Sequence, residues 1–257
     1  MLQPLELTGR SAIVTGAGRG IGRAITSALV RAGATALAVG RDESRLVETR
    51  DCLAREARAC DILVADITTA EGRGKLAERL AVADILINNA AAFASYQALE
   101  ALSASELARV IETNVLAPMQ LVGMAMPGMK RRGFGRIVNI GSVAATLGAE
   151  RQVAYATAKA ALAGFTKSVA LEGAPHGITC NLLELGLILT ERIEEVVVRE
   201  VRDRLIRSTP VGRAGSTADV ARAVLFFVSP AADFLTGTIL PVAGGLGLGL
   251  LSRCKAP

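Results

Sequence analysis

The chain has 257 residues, 51% hydrophobic and 21% charged, which suits one large α/β core and excludes a disordered chain. Its net charge of +5 comes from scattered arginines, with 3% aromatics and no tryptophan, so no basic stripe with interleaved aromatics calls for a nucleic-acid partner. Cys52, Cys60, Cys180, Cys254 and the single histidine His176 lack metal-ligand spacing, which argues against a metal site and a disulfide framework and for the reducing cytoplasm.

The N-terminal residues lack a charged-then-apolar signal pattern, and the apolar stretch Ile239–Leu251 is glycine-rich and too short to span a bilayer, so no membrane partner is expected. The first predicted strand, Ser11–Thr15, runs into Thr15-Gly16-Ala17-Gly18-Arg19-Gly20-Ile21-Gly22 and then a helical pattern over Gly22–Ala32. Glycines there let the backbone turn tightly and approach a pyrophosphate, while a helix N-terminus attracts its charge. The spacing is T-G-x-x-x-G-x-G, a dinucleotide loop distinct from G-x-G-x-x-G.

The second predicted strand, Thr35–Val39, ends in Val39-Gly40-Arg41-Asp42. A protein that binds NAD typically carries an acid at this strand end for the adenosine ribose. Arg41 here, with Arg19 in the glycine loop, offers two guanidiniums to a 2′-phosphate and favours NADP(H) over NAD(H). The competing reading gives the ribose to Asp42 and leaves Arg41 in solvent.

Further along, a helix over Ser44–Ala57, strands at Ile62–Ala65 and Ile85–Ile87, a long helix over Ser105–Lys130 and a strand at Ile137–Ile140 are predicted. A helix over Ala154–Ala174, a strand at Thr179–Leu183 and an edge strand at Ile239–Val242 complete the alternation. Short buried strands alternating with amphipathic helices predict a single-domain, Rossmann-type, doubly wound parallel sheet with helices on both faces, and no linker divides the chain from 1 to 257. One charged amphipathic helix, Thr190–Ser208, interrupts the rhythm after a strand end, and residues 189–208 are expected to form a lid over the substrate.

Within the Ala154–Ala174 helix, Tyr155 and Lys159 stand four apart and so share a face, with Ser142 upstream. A free phenol has a pKa of about 10, and a cation beside it favours the phenolate and brings it toward useful acid–base range. Ser142 would hold a substrate oxygen at the same spot.

Together with Asp66 after the third strand, Asn88-Asn89-Ala90 after the fourth, Asn114, and Asn181 through Thr190, these motifs resemble the short-chain dehydrogenase/reductase family across essentially the whole chain. The resemblance implies that Tyr155 protonates a carbonyl oxygen as hydride arrives. It implies that Lys159 tunes the phenol and bonds the nicotinamide ribose, that Ser142 orients the carbonyl, and that Asn114 holds a water relaying protons to Lys159. Cofactor contacts are implied for Gly16, Gly18, Arg19, Gly20, Ile21, Gly22, Arg41, Asp66, Ile67, Asn88, Ala90, Tyr155, Lys159, Gly186, Ile188 and Thr190. Substrate contacts are implied for Ser142, Gln152 and Tyr155.

Three positions depart from the family pattern: Leu185 where Pro is common, Ala91 where Gly is usual, and Ala243 where an acid is often seen. Leu185 is expected to loosen the turn beside the substrate. All three motivate a rival reading of another class, an NADP-binding regulator or scaffold with little catalysis. Gln152-x-x-Tyr155, Gly141-Ser142-Val143 and Pro210-Val211-Gly212-Arg213 most resemble 3-oxoacyl-[acyl-carrier-protein] reductases, implying a 3-oxoacyl thioester as substrate and an (R)-3-hydroxy product. Small alcohols, sugars and pathway ketones remain alternatives, since one fold hosts many substrates. Lys130, Arg131, Arg132 and Arg136 are expected to offer a basic landing surface for an acidic acyl carrier protein, with a solvated turn as the plain alternative. The long helices after Ser105 and Ala154 are expected to pair subunits into a homotetramer, with the apolar tail Leu246–Leu251 covering a neighbour.

Overall fold

The computed structural model describes residues 6–248. Seven strands form one parallel sheet: β1 (Ser11–Thr15), β2 (Thr35–Gly40), β3 (Asp61–Val64), β4 (Ile85–Asn88), β5 (Gly135–Ile140), β6 (Ile178–Leu185) and β7 (Ile239–Val242), in the order β3-β2-β1-β4-β5-β6-β7. Chain direction across the sheet reverses between β1 and β4, and in such sheets ligands bind at the carboxyl ends beside that switch point. Strand side chains alternate between two cores. Val14, Ala38, Ile87, Val138 and Leu183 face one, which includes Ile25, Leu29, Val224 and Phe227. Ile13, Leu37, Val39, Leu86 and Ile137 face the other, with Leu121, Ala125 and Met129.

The helices are α1 (Gly20–Arg31), α2 (Glu43–Ala54), α3 (Ala70–Gly74), α4 (Ala77–Val82), α5 (Ala104–Ile111), α6 (Ala117–Arg132), α7 (Ala144–Leu147), α8 (Val153–Gly173), α9 (Glu191–Val196), α10 (Arg199–Arg207) and α11 (Thr217–Val228). The helix expected over Ser105–Lys130 is continuous but changes winding at a π-helical turn, Glu112–Leu116. Pro118 has no N–H for the carbonyl of Asn114 four residues back, so the α-ladder cannot run through that point. A second difference lies in the expected lid: Thr190–Ser208 is two helices, broken at Val197, whose backbone is extended (φ −109°, ψ 115°). Three β-branched residues in a row, Val196–Val198, disfavour helical continuation there. Helix α11 escaped the sequence reading, although Ser216 and Asp219 form a capping box at its start. β6 also runs on to Leu185, which pairs with Val242, so the strand continues through the position expected to loosen.

Of the apolar tail, residues 249–251 lie outside the described residues; Leu246 lines this chain's own cleft. Among the described residues no helix is long and apolar enough to cross a membrane, and no group of three metal-ligating side chains occurs.

The approach of α1 to β1 is set by Gly22. A β-carbon there would sit 2.1 Å from the Gly16 carbonyl oxygen and 2.7 Å from Asn89 Nδ2. Because a backbone carbonyl is the obstacle, Gly22→Ala is expected to cost about 3 kcal/mol or more in chemical denaturation. An unchanged midpoint would show that α1 can pivot away.

Candidate active site

A cleft of about 1460 Å³ opens at the carboxyl ends of the strands. It is lined by Gly16, Gly18, Arg19, Gly20, Ile21, Gly22, Arg41, Asp66, Ile67, Ala90, Ser142, Gln152, Tyr155, Lys159, Gly186, Ile188 and Thr190. Every residue expected to touch cofactor or substrate is thereby gathered at one place, except Asn88; the relay residue Asn114 is also set behind the wall.

The glycine loop turns with positive φ at Gly16 (66°) and Gly20 (52°), conformations that favour glycine. Helix α1 begins with no side-chain cap on its N-terminal N–H groups and no acid in its first turn, so its electropositive end is open to an anion. The loop is held from β4 by Asn89, whose Nδ2 donates to Thr15 O (2.9 Å) and Gly16 O (3.1 Å). Asn89 was within the quoted motif but had been given no role; only the fold shows it bracing the cradle. These features fit a dinucleotide's pyrophosphate.

At the adenosine end, Asp42 is committed to capping α2: its Oδ1 accepts from Arg45 N (3.2 Å) and Ser44 Oγ (2.7 Å). The Ser44 hydroxyl and then the Arg45 N–H hold its carboxyl below the usual range. That leaves Arg41, largely exposed on the cleft, 3.8 Å from Asp66 Oδ2. Arg45 also lines the cleft, and nothing local marks a first-turn arginine as reaching it. Asp66 does not cap a helix; Thr69 caps α3 instead, and Asp66 Oδ1 accepts from the N–H (2.9 Å) and hydroxyl (2.7 Å) of Thr68. Burial raises the Asp66 pKa, but the Thr68 bonds and Arg41 outweigh it and hold the carboxyl below its ordinary value.

At the other end, Ser142 follows β5 while Tyr155 and Lys159 project from the first turns of α8. Ser142 Oγ accepts from Ala144 N (3.2 Å) and hydrogen-bonds Tyr155. Lys159 is 3% exposed, donates to Ile140 O at 2.7 Å, and lies 5.7 Å from the centre of the Tyr155 ring. The expected lowering of the phenol by the ammonium is reversed. Burial pushes Tyr155 up to about 12, against the Ser142 bond, and pushes Lys159 down to about 8. The ammonium donates to Ile140 O and not to the phenol, and desolvation dominates both groups. Phe93 stacks on Tyr155 with ring centres 4.5 Å apart, and Tyr96, hydrogen-bonded to Gln152, lines the same wall. Neither aromatic was foreseen, since the loop after β4 carries no periodic pattern.

Asn114 is 1% exposed at the π-turn; its Nδ2 donates to Ala92 O and Val110 O, both at 2.8 Å, and its Oδ1 is buried with no protein donor. That acceptor fits a relay water. Asn88 lies within the sheet, donating to Asn139 Oδ1 at 2.8 Å, so it braces β4 against β5 and does not line the cleft. Thr190 caps α9, and this helix is tied to the glycine loop through Arg19 Nη1 to Glu195 Oε1 (3.2 Å).

Two of the four cations in the basic run before β5 are engaged within the fold. Arg136 is 2% exposed and bonds the carbonyls of Gly135 (2.9 Å) and Gly177 (3.1 Å), while Arg132 pairs with Asp84 at 3.3 Å. Both lie at the opposite end of β5 from the cleft. Ala243 packs beneath Gly186, where a β-carbon would come within 2.9 Å of its Cα, and Ala91 lines the cleft.

The family model described as enoyl-(acyl carrier protein) reductase matches residues 16–247. The chain is 35% identical over 243 residues to the 3-oxoacyl-[acyl-carrier-protein] reductase of Escherichia coli (strain K12), covering 94% of this chain and 99% of that one. It is 36% identical over 242 residues to the acetoacetyl-CoA reductase of Rhizobium meliloti (strain 1021), covering 92% and 98%. Among solved structures, a proposed NAD(P)-dependent gluconate 5-dehydrogenase from Beutenbergia cavernae, with NADP bound at low occupancy, superposes with a TM-score of 0.90 at 35% identity, covering 95% and 99%. A proposed 2-deoxy-D-gluconate 3-dehydrogenase from Agrobacterium tumefaciens, with NADP bound, gives 0.87 at 32%, covering 95% and 98%.

The buried Lys159 sets a pH dependence. Below about pH 8 both folded and unfolded chains hold its proton, and the burial penalty is fully present. Between there and the unfolded value of about 10.4, the unfolded chain binds more protons, so this group makes stability rise with pH. Tyr155 acts oppositely, above about pH 10. The melting temperature of the native protein minus that of Lys159→Met is expected to climb between pH 8 and 10. A flat difference would mean that the ammonium is solvated.

Proposed function

The chain belongs to the short-chain dehydrogenase/reductase family and is an oxidoreductase of the CH–OH/C=O couple, and from that premise we propose an NADPH-dependent reductase of 3-oxoacyl thioesters. The observation that carries this reading is the convergence of Ser142, Tyr155 and Lys159 on one cleft that also holds an uncapped glycine-loop helix end. NADPH, when bound, supplies the hydride. Arg19, Arg41 and Arg45 at the adenosine end would hold its 2′-phosphate, and Asp42, engaged as a helix cap, is a poor ribose acceptor.

Tyr155 gives its phenolic proton to the substrate's carbonyl oxygen; a pKa pushed up to about 12 keeps that proton available across the neutral range. Ser142 hydrogen-bonds the same oxygen and so orients the carbonyl. Lys159, charged below about pH 8, stabilises the phenolate left behind, and Asn114 Oδ1 holds a water through which the proton is restored. Phe93 fixes the plane of the phenol by stacking. Helices α9 and α10 form the substrate lid, supported by Val197, Val201 and Leu205 on the cleft wall. A second reading, oxidation or reduction of a sugar acid or other small alcohol, is favoured by the gluconate-type structures.

The protein is further proposed to be a cytoplasmic homotetramer. Free thiols at Cys52, Cys60 and Cys180 suit a reducing compartment. Leu107, Leu116 and Met119 stand exposed along α5–α6, as do Ala160 and Ala161 on α8, which suits pairing through these helices. Light scattering at micromolar concentration should give four chain masses; a monomer mass would refute the assembly.

NADPH oxidation followed at 340 nm with acetoacetyl thioesters and a panel of ketones tests the activity. Tyr155→Phe is expected to lower kcat by about a thousandfold or more while leaving NADPH affinity within about twofold. Tight NADPH binding without turnover on any carbonyl would instead favour the regulator. Arg41→Ala is expected to lower the NADPH-to-NADH ratio of kcat/KM by about tenfold or more; an unchanged ratio would return the ribose to an acid.

A further inference from the structure

Seven arginines line the cleft, and they differ in what holds them. Arg19 and Arg192 pair with Glu195, Arg41 with Asp66, and Arg45 with Asp42. Arg109 donates to Phe93 O at 2.6 Å. Of these seven, only the side chains of Arg151 and Arg204 have no ion-pair or hydrogen-bond partner among the described residues. Glu150, on the same rim, pairs with neither.

Both unengaged guanidiniums line the cleft, and they come from different elements. Arg151 precedes α8, one residue before Gln152 and four before Tyr155. Arg204 lies on α10, three residues after Val201 and one before Leu205, both of which line the cleft. It is thus a cation set into the apolar stripe that the lid turns toward the site. Leu147 and Leu187 also line the cleft. Burying apolar wall beside a cation is costly unless an anion arrives with the ligand.

Arg151 carries a second mark. Its backbone is left-handed, with φ 59°, one of only two such non-glycine residues among those described. A β-carbon is strained there, and glycine would hold the turn without strain. Retaining a long cation at a position suited to glycine, at the mouth of a catalytic cleft, points to use of that cation.

Resting on the reductase reading of the cleft, we propose that the substrate bears an anionic group, carboxylate or phosphate ester, separated from its reacting carbonyl by an apolar stem, and that Arg151 and Arg204 bind it. The pair would clamp the anion from two sides as the lid packs on the stem. Charge-assisted bonds from two guanidiniums would give both affinity and orientation.

Calorimetry on the full chain, with and without saturating NADP, tests this using inert probes: hexanoate, hexyl phosphate and hexanamide. At low salt at least one anion is expected to bind about tenfold more tightly than hexanamide. The tighter of the two identifies the source, carboxylate or phosphate. In Arg151→Gly with Arg204→Gln, the preference is expected to collapse to about unity, with hexanamide affinity unchanged. Arg151→Gly also relieves backbone strain, so a thermal melt at or above the native midpoint verifies folding. Equal binding of all three probes, no detectable binding of either anion, or a preference that survives the double variant would overturn the proposal. Thioester turnover without anion preference would sink this inference and leave the reductase standing. Anion preference without turnover of any carbonyl would sink the reductase and leave the site.

Discussion

The hydrogen bond from the Lys159 ammonium to the Ile140 carbonyl, 2.7 Å long and almost wholly buried, ties the first turns of α8 to the end of β5. It sets the rotation of the helix about its axis. Tyr155, one turn earlier on the same face, is thereby brought over Ser142, which follows β5 by two residues. A buried cation costs free energy, and its presence in an otherwise Ala- and Leu-rich packing is tolerated because the carbonyl accepts from it. Loss of that tie would free the helix phase and separate the phenol from the serine without altering either residue.

A second constraint acts from the other side of the cleft. Asn89 grips the carbonyls of Thr15 and Gly16, and Gly22 admits the same carbonyl against α1. The uncapped start of α1 is therefore held at a fixed distance from the end of β4. Nicotinamide and pyrophosphate subsites must share one rigid frame for hydride and proton to arrive at one carbonyl, and these two anchors supply it. The sheet interior repeats the theme: Asn88, Asn139 and Thr166 are linked by buried hydrogen bonds that lock β4, β5 and α8 in register.

Electrostatics divides the cleft. The half at the end of β2 contains guanidiniums already balanced by carboxylates. Arg19 is the clearest instance, bound to Glu195 on α9, which couples the glycine loop to that helix. The half around Ser142 has aromatic Phe93 and Tyr96 beside the buried phenol, with unpaired guanidiniums on the cleft wall. Desolvation there raises Tyr155 and lowers Lys159, and it strengthens whatever charge–charge contact a substrate brings.

Local pattern alone specified much of this protein. Short apolar runs between helical patterns placed the seven strands of the described residues to within a few residues, because parallel strands covered on both faces are buried on both sides. The glycine spacing, Ser142, and Tyr155 four before Lys159 were legible because a tight turn and a shared helix face are local geometry. Tertiary structure decided the rest. Whether Lys159 lowers the phenol depends on how much water reaches them both, and burial is a property of the packed molecule. Asn89, Phe93, Tyr96 and Arg45 act across distances in sequence that no periodicity spans. Arg136 looked like surface charge within its run but is swallowed by carbonyls of neighbouring turns, and Arg151 and Arg204 line one cleft only because the chain folds both onto it. Sequence spacing reports which residues share a face; which faces meet, and how dry the contact is, follows only from the closed fold.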